Sequence, residues 1–484
     1  MMDTTSHAPG DDVRPVERRV TAELIARHDR PGPRYTSYPT AVEFHEGFTE
    51  ADYLGRLAVA DAAADAAADA AADDPLSIYI HLPFCEQRCL FCGCHVIITR
   101  HRDVAAPYLE LLKREIELLA ERLPHRRSFA QLHLGGGTPT YYTPAQLTDL
   151  LTHLFRYFHA VPGAELAVEA DPRVTTPEHI DALADLGFNR ISFGVQDLTP
   201  EVQEAINRIQ SLEQTERLVK HARARGFRGI NVDLIYGLPL QTPESFERTI
   251  ESVIGLQPDR AAVYSFAFVP WVRGHQKKIE ESQLPDAQTK VALFAIARER
   301  FLRAGYEPLG MDHFARPDDE LAKAKRDGRL RRNFQGYSVL PGDDVIGLGI
   351  SAIGDVRGAY VQNEKKLSTY EERINAGSLP VARGIMRSAD DEVRRVVIHE
   401  LMCNFRVDTA MVERRFGIDF ASYFAADLER LAPHEREGFV RIRPEAIEAT
   451  PIGELFIRNL AMCFDRYQQE KHAAESAPVF SRTV

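Results

Sequence analysis

From about residue 77 the chain alternates short apolar runs with amphipathic stretches of helical period. The runs predict strands at Ser77–Leu82, Ala130–Leu134, Glu165–Val168, Arg190–Gly194, Gly229–Ile235 and Ala261–Phe266. Helix starts are marked by a Thr N-cap followed by Pro at the first helical position: Thr143-Pro144, Thr176-Pro177, Thr199-Pro200 and Thr242-Pro243. After the first of these, Gln146 occupies the capping-box position. Leu147, Leu150, Leu151, Leu154, Phe155 and Phe158 then form a stripe at helical spacing. Gly187 and Gly226 fall where helices end in a left-handed residue. Such repeated strand–helix units predict an α/β fold, a parallel sheet with helical crossovers that curls into an incomplete (β/α)6, TIM-like barrel.

Two regions flank this core. Ala58 to Asp74 is nearly all Ala and Asp, with Asp61, Asp65 and Asp69 at mutually repelling i,i+4 spacing. It predicts a solvated helical extension or linker without chemistry. Beyond residue 385, Val393, Val396, Val397, Leu401 and Met402 make one apolar helical stripe, and a short hairpin is expected at Gly438–Ile442 before a last helix. The organisation expected is therefore an N-terminal segment (1–76), a barrel with following elements (77–384) and a mainly helical, winged-helix-like C-terminal domain (385–484).

With 44% hydrophobic and 27% charged residues over 484 positions, the chain reads as globular. No apolar run approaches the ~18 residues of a membrane span, and Met1 to Arg19 lacks a secretory pattern, so the expected location is the cytoplasm. A net charge of −12 argues against nucleic acid as a partner and leaves the winged-helix-like domain a packing or lid role. An anionic small substrate remains compatible with it, because a few local cations suffice to bind one.

In barrels of this kind chemistry gathers at the C-terminal ends of the strands, and the unusual residues of this chain lie there. Cys85, Cys89, Cys92 and Cys94 follow strand one, and Gly135-Gly136-Gly137-Thr138-Pro139 follows strand two. Glu169 and Asp171 follow strand three, Gln196 and Asp197 follow strand four, and Asp233 lies near the end of strand five. Thiolates at Cys85, Cys89 and Cys92 suit three irons of a four-iron cluster with one corner left open. Structural zinc is the alternative, although zinc ligands usually come as two separated pairs, and a disulfide is a third reading. The C-x3-C-x2-C spacing resembles that of radical S-adenosylmethionine (SAM) enzymes. These need a SAM cradle beside the cluster. The glycine run offers close backbone approach, or is simply a tight turn, and without a G-x-G-x-x-G pattern it does not indicate a dinucleotide site. Glu169, Gln196, Arg208 and Asp233 could form a polar ring, and Phe91 could stack on adenine or merely pack.

The segments Tyr79–His95, Gly135–Thr140, Val168–Arg173, Asn231–Pro239, Asn333–Tyr337 and Cys403–Arg406 together resemble the oxygen-independent coproporphyrinogen III oxidases, from about Arg34 to the C-terminus. The resemblance implies that Cys85, Cys89 and Cys92 hold one [4Fe-4S] cluster. It further implies that Tyr79, Phe91, Gly136, Gly137, Thr138, Glu169, Gln196, Arg208, Asp233, Ala267 and Ile353 contact SAM, of which the family holds two molecules. Cys94 is a candidate catalytic residue or an inert thiol near the cluster. The implied substrate is coproporphyrinogen III, the implied partner a reductant protein, and a monomer is the expected state. Arg273, Lys277 and Lys278 are candidate carboxylate ligands by charge and position. A haem chaperone of the same superfamily is the runner-up. Cys94 and the Arg34–Thr40 segment distinguish the oxidase from it, and both are present.

Overall fold

The structure, a computed structural model, describes residues 20–66, 74–339, 344–472 and 480–483. Six parallel strands form its centre: β1 (Leu76–Leu82), β2 (Ser128–Gly136), β3 (His159–Ala170), β4 (Arg190–Gln196), β5 (Gly229–Tyr236) and β6 (Arg260–Ser265). Each includes or overlaps the run predicted for it. The sheet continues on one side through β7 (Glu307–Leu309) and β8 (His313–Ala315). On the other side it continues through β9 (Val345–Leu348), β10 (Ile353–Val356), β11 (Ala359–Asn363) and β12 (Val381–Met386). The order is β12-β11-β10-β9-β1-β2-β3-β4-β5-β6-β8-β7, a linear ladder and therefore an open barrel. Within it β9 runs parallel to β1, while β10 to β12 and β8 are antiparallel to their neighbours.

The alternation that made the strands legible has a physical cause. Parallel strands covered on both faces are usually apolar on both. Here only the outer face is: Ile78, Ile80, Leu132, Leu134, Val168, Ile191, Phe193, Val232 and Leu234 are buried beneath the helices. The inner face carries Ser77, Tyr79, His81, Gln131, His133, Glu169, Ser192, Asn231, Asp233 and Tyr264, so the lumen is polar. Ser77 Oγ donates to Gln131 Oε1 at 2.9 Å and Asn231 Nδ2 to Ser192 Oγ at 2.8 Å. At the lower end Arg190 and Arg260 are neutralised by Glu165, Asp319 and Glu320. The polar lumen is thus built, and its open end is free for chemistry.

The Thr-Pro starts hold: helices begin at Pro144, Pro177, Pro200 and Pro243, and Thr143 with Gln146 closes a reciprocal capping box. Leu147, Leu150, Leu151 and Leu154 are fully buried. Gly187 and Gly226 adopt φ of +90° and +89°, the left-handed turn expected of them.

Two expectations need correction. The Ala/Asp segment begins as helix Glu50–Ala66, but Asp61 is not solvated: its carboxylate is buried and accepts from the backbone N–H groups of His125 (2.8 Å) and Arg126 (3.1 Å) and contacts His125 Nδ1 at 2.9 Å. It fastens this helix to the turn before β2. Asp69 lies outside the described residues. The hairpin is Val440–Arg443 with Ala446–Ala449, later than Gly438–Ile442, because Gly438 (φ +78°) terminates helix Ala425–Arg436 instead. The C-terminal core takes in Tyr35 and Tyr38 of the N-terminal segment, and Tyr35 donates to Asp465 at 2.8 Å.

One buried carboxyl joins the parts of the β1 edge. Glu115, on helix Ala105–Arg122, accepts from Gly349 N–H (2.7 Å), Asn363 Nδ2 (2.7 Å) and Tyr370 OH (2.6 Å). Burial pushes its pKa up from 4.5 to about 7 against the pull of these hydrogen bonds. Between those values the folded chain binds more protons than the unfolded one, so the contribution of Glu115 is complete below 4.5 and is lost as pH rises through about 7. Glu115→Gln is expected to flatten that part of the stability profile, and Glu115→Leu to cost roughly 2–5 kcal/mol by orphaning Gly349 N–H and Tyr370 OH, while Asn363 keeps the Gly347 and Gly349 carbonyls. Denaturant midpoints measured from pH 4.5 to 8 check both.

Candidate active site

The cysteine loop is clamped at its base and along its length. Phe84–Cys85 pairs in parallel with Ile97–Ile98, with Ile97 N–H donating to Pro83 O (2.9 Å) and Thr99 N–H to Cys85 O (2.9 Å). Leu90 N–H donates to Ile206 O and Asn207 Nδ2 to Arg88 O, both at 2.9 Å. From the far side, His275 Nε2 lies 2.9 Å from Cys92 O and Gln276 Nε2 donates to Phe91 O at 3.4 Å. Strand ends on both sides therefore fix where the thiols point.

All four thiols line one cavity of ≈ 250 Å³ at the C-terminal ends of the strands. Phe91, Gly136, Gly137, Thr138, Glu169, Gln196, Arg208 and Asp233 share that wall, as the sequence led us to expect. Tyr79, Ala267 and Ile353 do not. Tyr79 contacts His81 Nδ1 at 3.0 Å, Ala267 O accepts from Gln276 Nε2 at 3.0 Å, and Ile353 packs in the cluster of Phe44, Tyr360 and Ile385.

The glycine run serves the fold as much as any ligand. A Cβ on Gly136 (φ +110°) would lie 2.6 Å from the His81 ring, and one on Gly137 2.5 Å from the backbone of Pro83. Gly137 N–H donates to Leu82 O at 2.8 Å and Thr138 N–H to Phe84 O at 3.0 Å, so the run docks the root of the cysteine loop. Gly137→Ala is expected to displace that root, with iron incorporation falling by half or more; iron and sulfide assays after anaerobic reconstitution read this out.

Fixed cations stand beside one sulfur of the loop. Arg173 NH2 and Arg208 NH1 stand 3.4 Å and 3.5 Å from Cys89 Sγ. Both cations also hold Asp171: burial raises its pKa, but Arg208 and Arg173 outweigh this and bring it from 3.8 to about 2. Burial pushes the Cys85 thiol up to about 12 despite its 3.2 Å contact with Thr138 Oγ1. Cys92 is lowered by hydrogen bonding to Cys94, whose N–H donates to Cys92 Sγ at 3.4 Å, and Cys94 is raised by the same interaction. Asp233 is pushed up to about 6 by burial, with nearby Glu169 adding to the shift. Glu169 itself lies below its ordinary value: burial opposes this, and contacts with His133 Nε2 (3.4 Å) and Gly136 N–H (3.2 Å) prevail. Gln196 adopts φ +69°, a left-handed conformation that a strand-end side chain keeps only where its surroundings impose it.

Asp171 and Arg173 also line the cavity, a pairing that the sequence does not single out. Their signal was an acid at a strand end with arginine two positions on, and Arg173 forms hydrogen bonds to both carboxylate oxygens of Asp171.

The residues fit a cluster better than a single ion. Tetrahedral zinc with Zn–S near 2.3 Å requires sulfurs about 3.8 Å apart. Among the described residues the one trio of ligand atoms within 4.8 Å of one another is His28, His434 and Glu437, none of them from the cysteine loop. The wider spread of the thiols suits three irons. Arg208 lines the same wall while its terminal nitrogens hold Asp171 and Gly194, so its cationic charge stands beside whatever anion enters.

The model of the Radical SAM superfamily matches residues 79–253, and that of the HemN C-terminal domain matches residues 388–456. An oxygen-independent coproporphyrinogen III oxidase of Salmonella typhimurium is 44% identical over 461 residues, 95% of this chain and 98% of its own length. One of Pseudomonas aeruginosa is 44% identical over 454 residues, 93% and 96% of the two chains. The chain belongs to the oxygen-independent coproporphyrinogen III oxidase family. The solved structure of the Escherichia coli coproporphyrinogen III oxidase, a radical SAM enzyme, superposes with a TM-score of 0.84 at 44% identity, covering 90% of this chain and 97% of that one. Membership of the oxidase family makes the chain a radical SAM enzyme and implies a [4Fe-4S] cluster and SAM. The haem-chaperone reading is not favoured. Among the described residues no helix is long and apolar enough to cross a membrane.

Proposed function

We propose that this oxidase converts coproporphyrinogen III to protoporphyrinogen IX without oxygen, by oxidative decarboxylation of two propionate side chains to vinyl groups. The observation that carries the reading is the convergence of three cysteine thiols with Glu169, Gln196, Arg208 and Asp233 on one cavity. When bound, the cluster and SAM supply a 5′-deoxyadenosyl radical, which takes a hydrogen atom from the propionate β-carbon; CO2 and one electron then leave.

The chain's own residues bind and orient the reactants. Cys85, Cys89 and Cys92 are the cluster ligands, and Arg173 and Arg208 offset their negative charge. Arg208 brings positive charge to the cavity wall for a carboxylate, and Glu169 and Asp233 suit an ammonium or ribose hydroxyls. Cys94, at the cavity wall beside the ligands, is the candidate catalytic thiol. Two SAM molecules share the site, a reductant protein supplies electrons, and the enzyme is a cytoplasmic monomer with domains at 1–76, 77–384 and 385–484.

The test is anaerobic. Protein reconstituted with iron and sulfide receives SAM, a reductant, coproporphyrinogen III and an electron acceptor, and protoporphyrinogen IX and 5′-deoxyadenosine are measured together. Both are expected. SAM cleavage without a vinyl product would retain the radical chemistry and overturn the substrate; tight haem binding without cleavage would restore the chaperone reading.

A further inference from the structure

Among the described residues, three cations stand near the cysteine-loop cavity without an ion pair of their own. Adjacent strands place His133, Tyr79 and Gly347 side by side on β2, β1 and β9. Gly347 abuts the backbone of Ile353, which pairs with Gln362, which pairs with Arg383. Residues of one such row share a face. Arg383 on β12 therefore stands on the lumenal side with Tyr79. Its Nε donates to Gln362 Oε1 at 2.7 Å and its guanidinium lies 5.8 Å from the Phe44 ring centre.

Lys365 follows the end of β11, and its carbonyl lies 2.8 Å from His95 Nε2. His95 sits between Cys94 and Val96, both of which line the cavity. Arg273 enters from the loop after β6, at the other margin of the opening, just before the His275 and Gln276 that grip the cysteine loop. Lys365 is lowered first by burial and then by Arg383 and Arg273, and His95 by burial with added repulsion from Lys365, Arg273 and Arg88. Glu46 is the acid that acts on Arg383. Arg190 and Arg260 at the lower end of the barrel are neutralised by carboxylates; among the described residues Arg273, Lys365 and Arg383 form no ion pair. Clustered like charges raise one another's energy until an anion enters between them.

We propose that Arg383, Lys365 and Arg273 form a carboxylate clamp for the propionates of the porphyrinogen that are not reacting, holding the macrocycle while one propionate enters the cavity. The clamp rests on the proposed substrate. It replaces the expectation that Lys277 and Lys278 share this role with Arg273: the charge of Arg273, not theirs, acts on Lys365, which is itself exposed at the rim. Placed on two margins of the opening, the clamp would also select against porphyrins with fewer carboxylates.

Steady-state kinetics of Arg383→Gln, Lys365→Met and the double variant test this, with iron content and substrate-free SAM cleavage as controls for folding and cluster. The KM for coproporphyrinogen III is expected to rise about tenfold for Arg383→Gln and three- to tenfold for Lys365→Met, more in the double variant. The KM for SAM should hold, kcat should change less than about threefold, and Arg383→Lys should recover part of the loss. An unchanged KM for coproporphyrinogen III beside an active wild type overturns the clamp alone. A raised KM for SAM also overturns it, since the cations would then serve the SAM carboxylate. A wild type that makes no protoporphyrinogen IX overturns the functional reading, and the clamp with it.

Discussion

Replacing Cys85 with serine is expected to leave a folded protein without a cluster, with SAM cleavage down by three orders of magnitude or more. The side chain is half-buried at the mouth of the loop, and its sulfur lies 3.2 Å from Thr138 Oγ1, a contact that a serine hydroxyl of nearly the same size can keep. The loop itself is held through backbone groups that serine retains, Thr99 N–H to Cys85 O among them. What serine cannot supply is a soft thiolate for iron. Cys89→Ser should behave alike, with the difference that Arg173 and Arg208 then lose the anion they flank. Cys94→Ser is the informative contrast. Cys94 borders the cavity and bonds to Cys92 but is no predicted ligand, so that variant should keep its iron while the yield of protoporphyrinogen IX falls. Iron and sulfide content, the visible spectrum and 5′-deoxyadenosine yield decide the set. Loss of iron in Cys94→Ser would move Cys94 into the ligand set, and iron retained in Cys85→Ser would remove Cys85 from it.

The parts of the fold legible in the sequence are those where local and tertiary demands agree. Ile78, Ile80, Leu132 and Leu134 alternate with Ser77, Tyr79, Gln131 and His133 because the barrel is dry outside and polar inside. Thr143 and Gln146 cap a helix whose leucines are all buried, so cap and stripe give one message. The edge strands β9 to β12 were not legible as strands. They are short, and Gly347 and Gly354 are required there by neighbouring backbone, with a Cβ on either lying 2.8–2.9 Å from main-chain atoms. Asp61 misled because its partners, the N–H groups of His125 and Arg126, are more than sixty residues away. The site followed the same division. Strand-end residues could be located from the strands, but the Asp171, Arg173 and Arg208 network depends on a contact between the end of β3 and the turn after helix Pro200–Ala205 that no local pattern encodes.

Arg208 is where that network meets the cofactor, and Arg208→Met is expected to raise the KM for SAM about a hundredfold while the cluster still assembles. Three of its interactions are structural: NH1 with Asp171 Oδ2 at 3.0 Å and with Cys89 Sγ at 3.5 Å, and NH2 with Gly194 O at 2.5 Å. Held by these anchors, the side chain lines the cavity and fixes a positive charge there for an anionic ligand. Methionine fills the volume but removes every donor, and the loss of a charge-assisted bond with its orientation is worth roughly 3 kcal/mol, about a hundredfold. The fold should survive, because Arg173 still holds Asp171 through its backbone N–H at 3.0 Å and its guanidinium at 2.6 Å. Asp171 will rise from about 2 without the stronger of its two cations, yet stay ionised at neutral pH. Arg208→Lys should not rescue, since a point charge cannot hold both Asp171 and Gly194 and keep its place at the cavity wall. The decisive split is between binding and assembly. A raised KM for SAM at full iron content makes Arg208 a cofactor ligand, whereas lost iron at unchanged SAM affinity would show that it serves Cys89 instead.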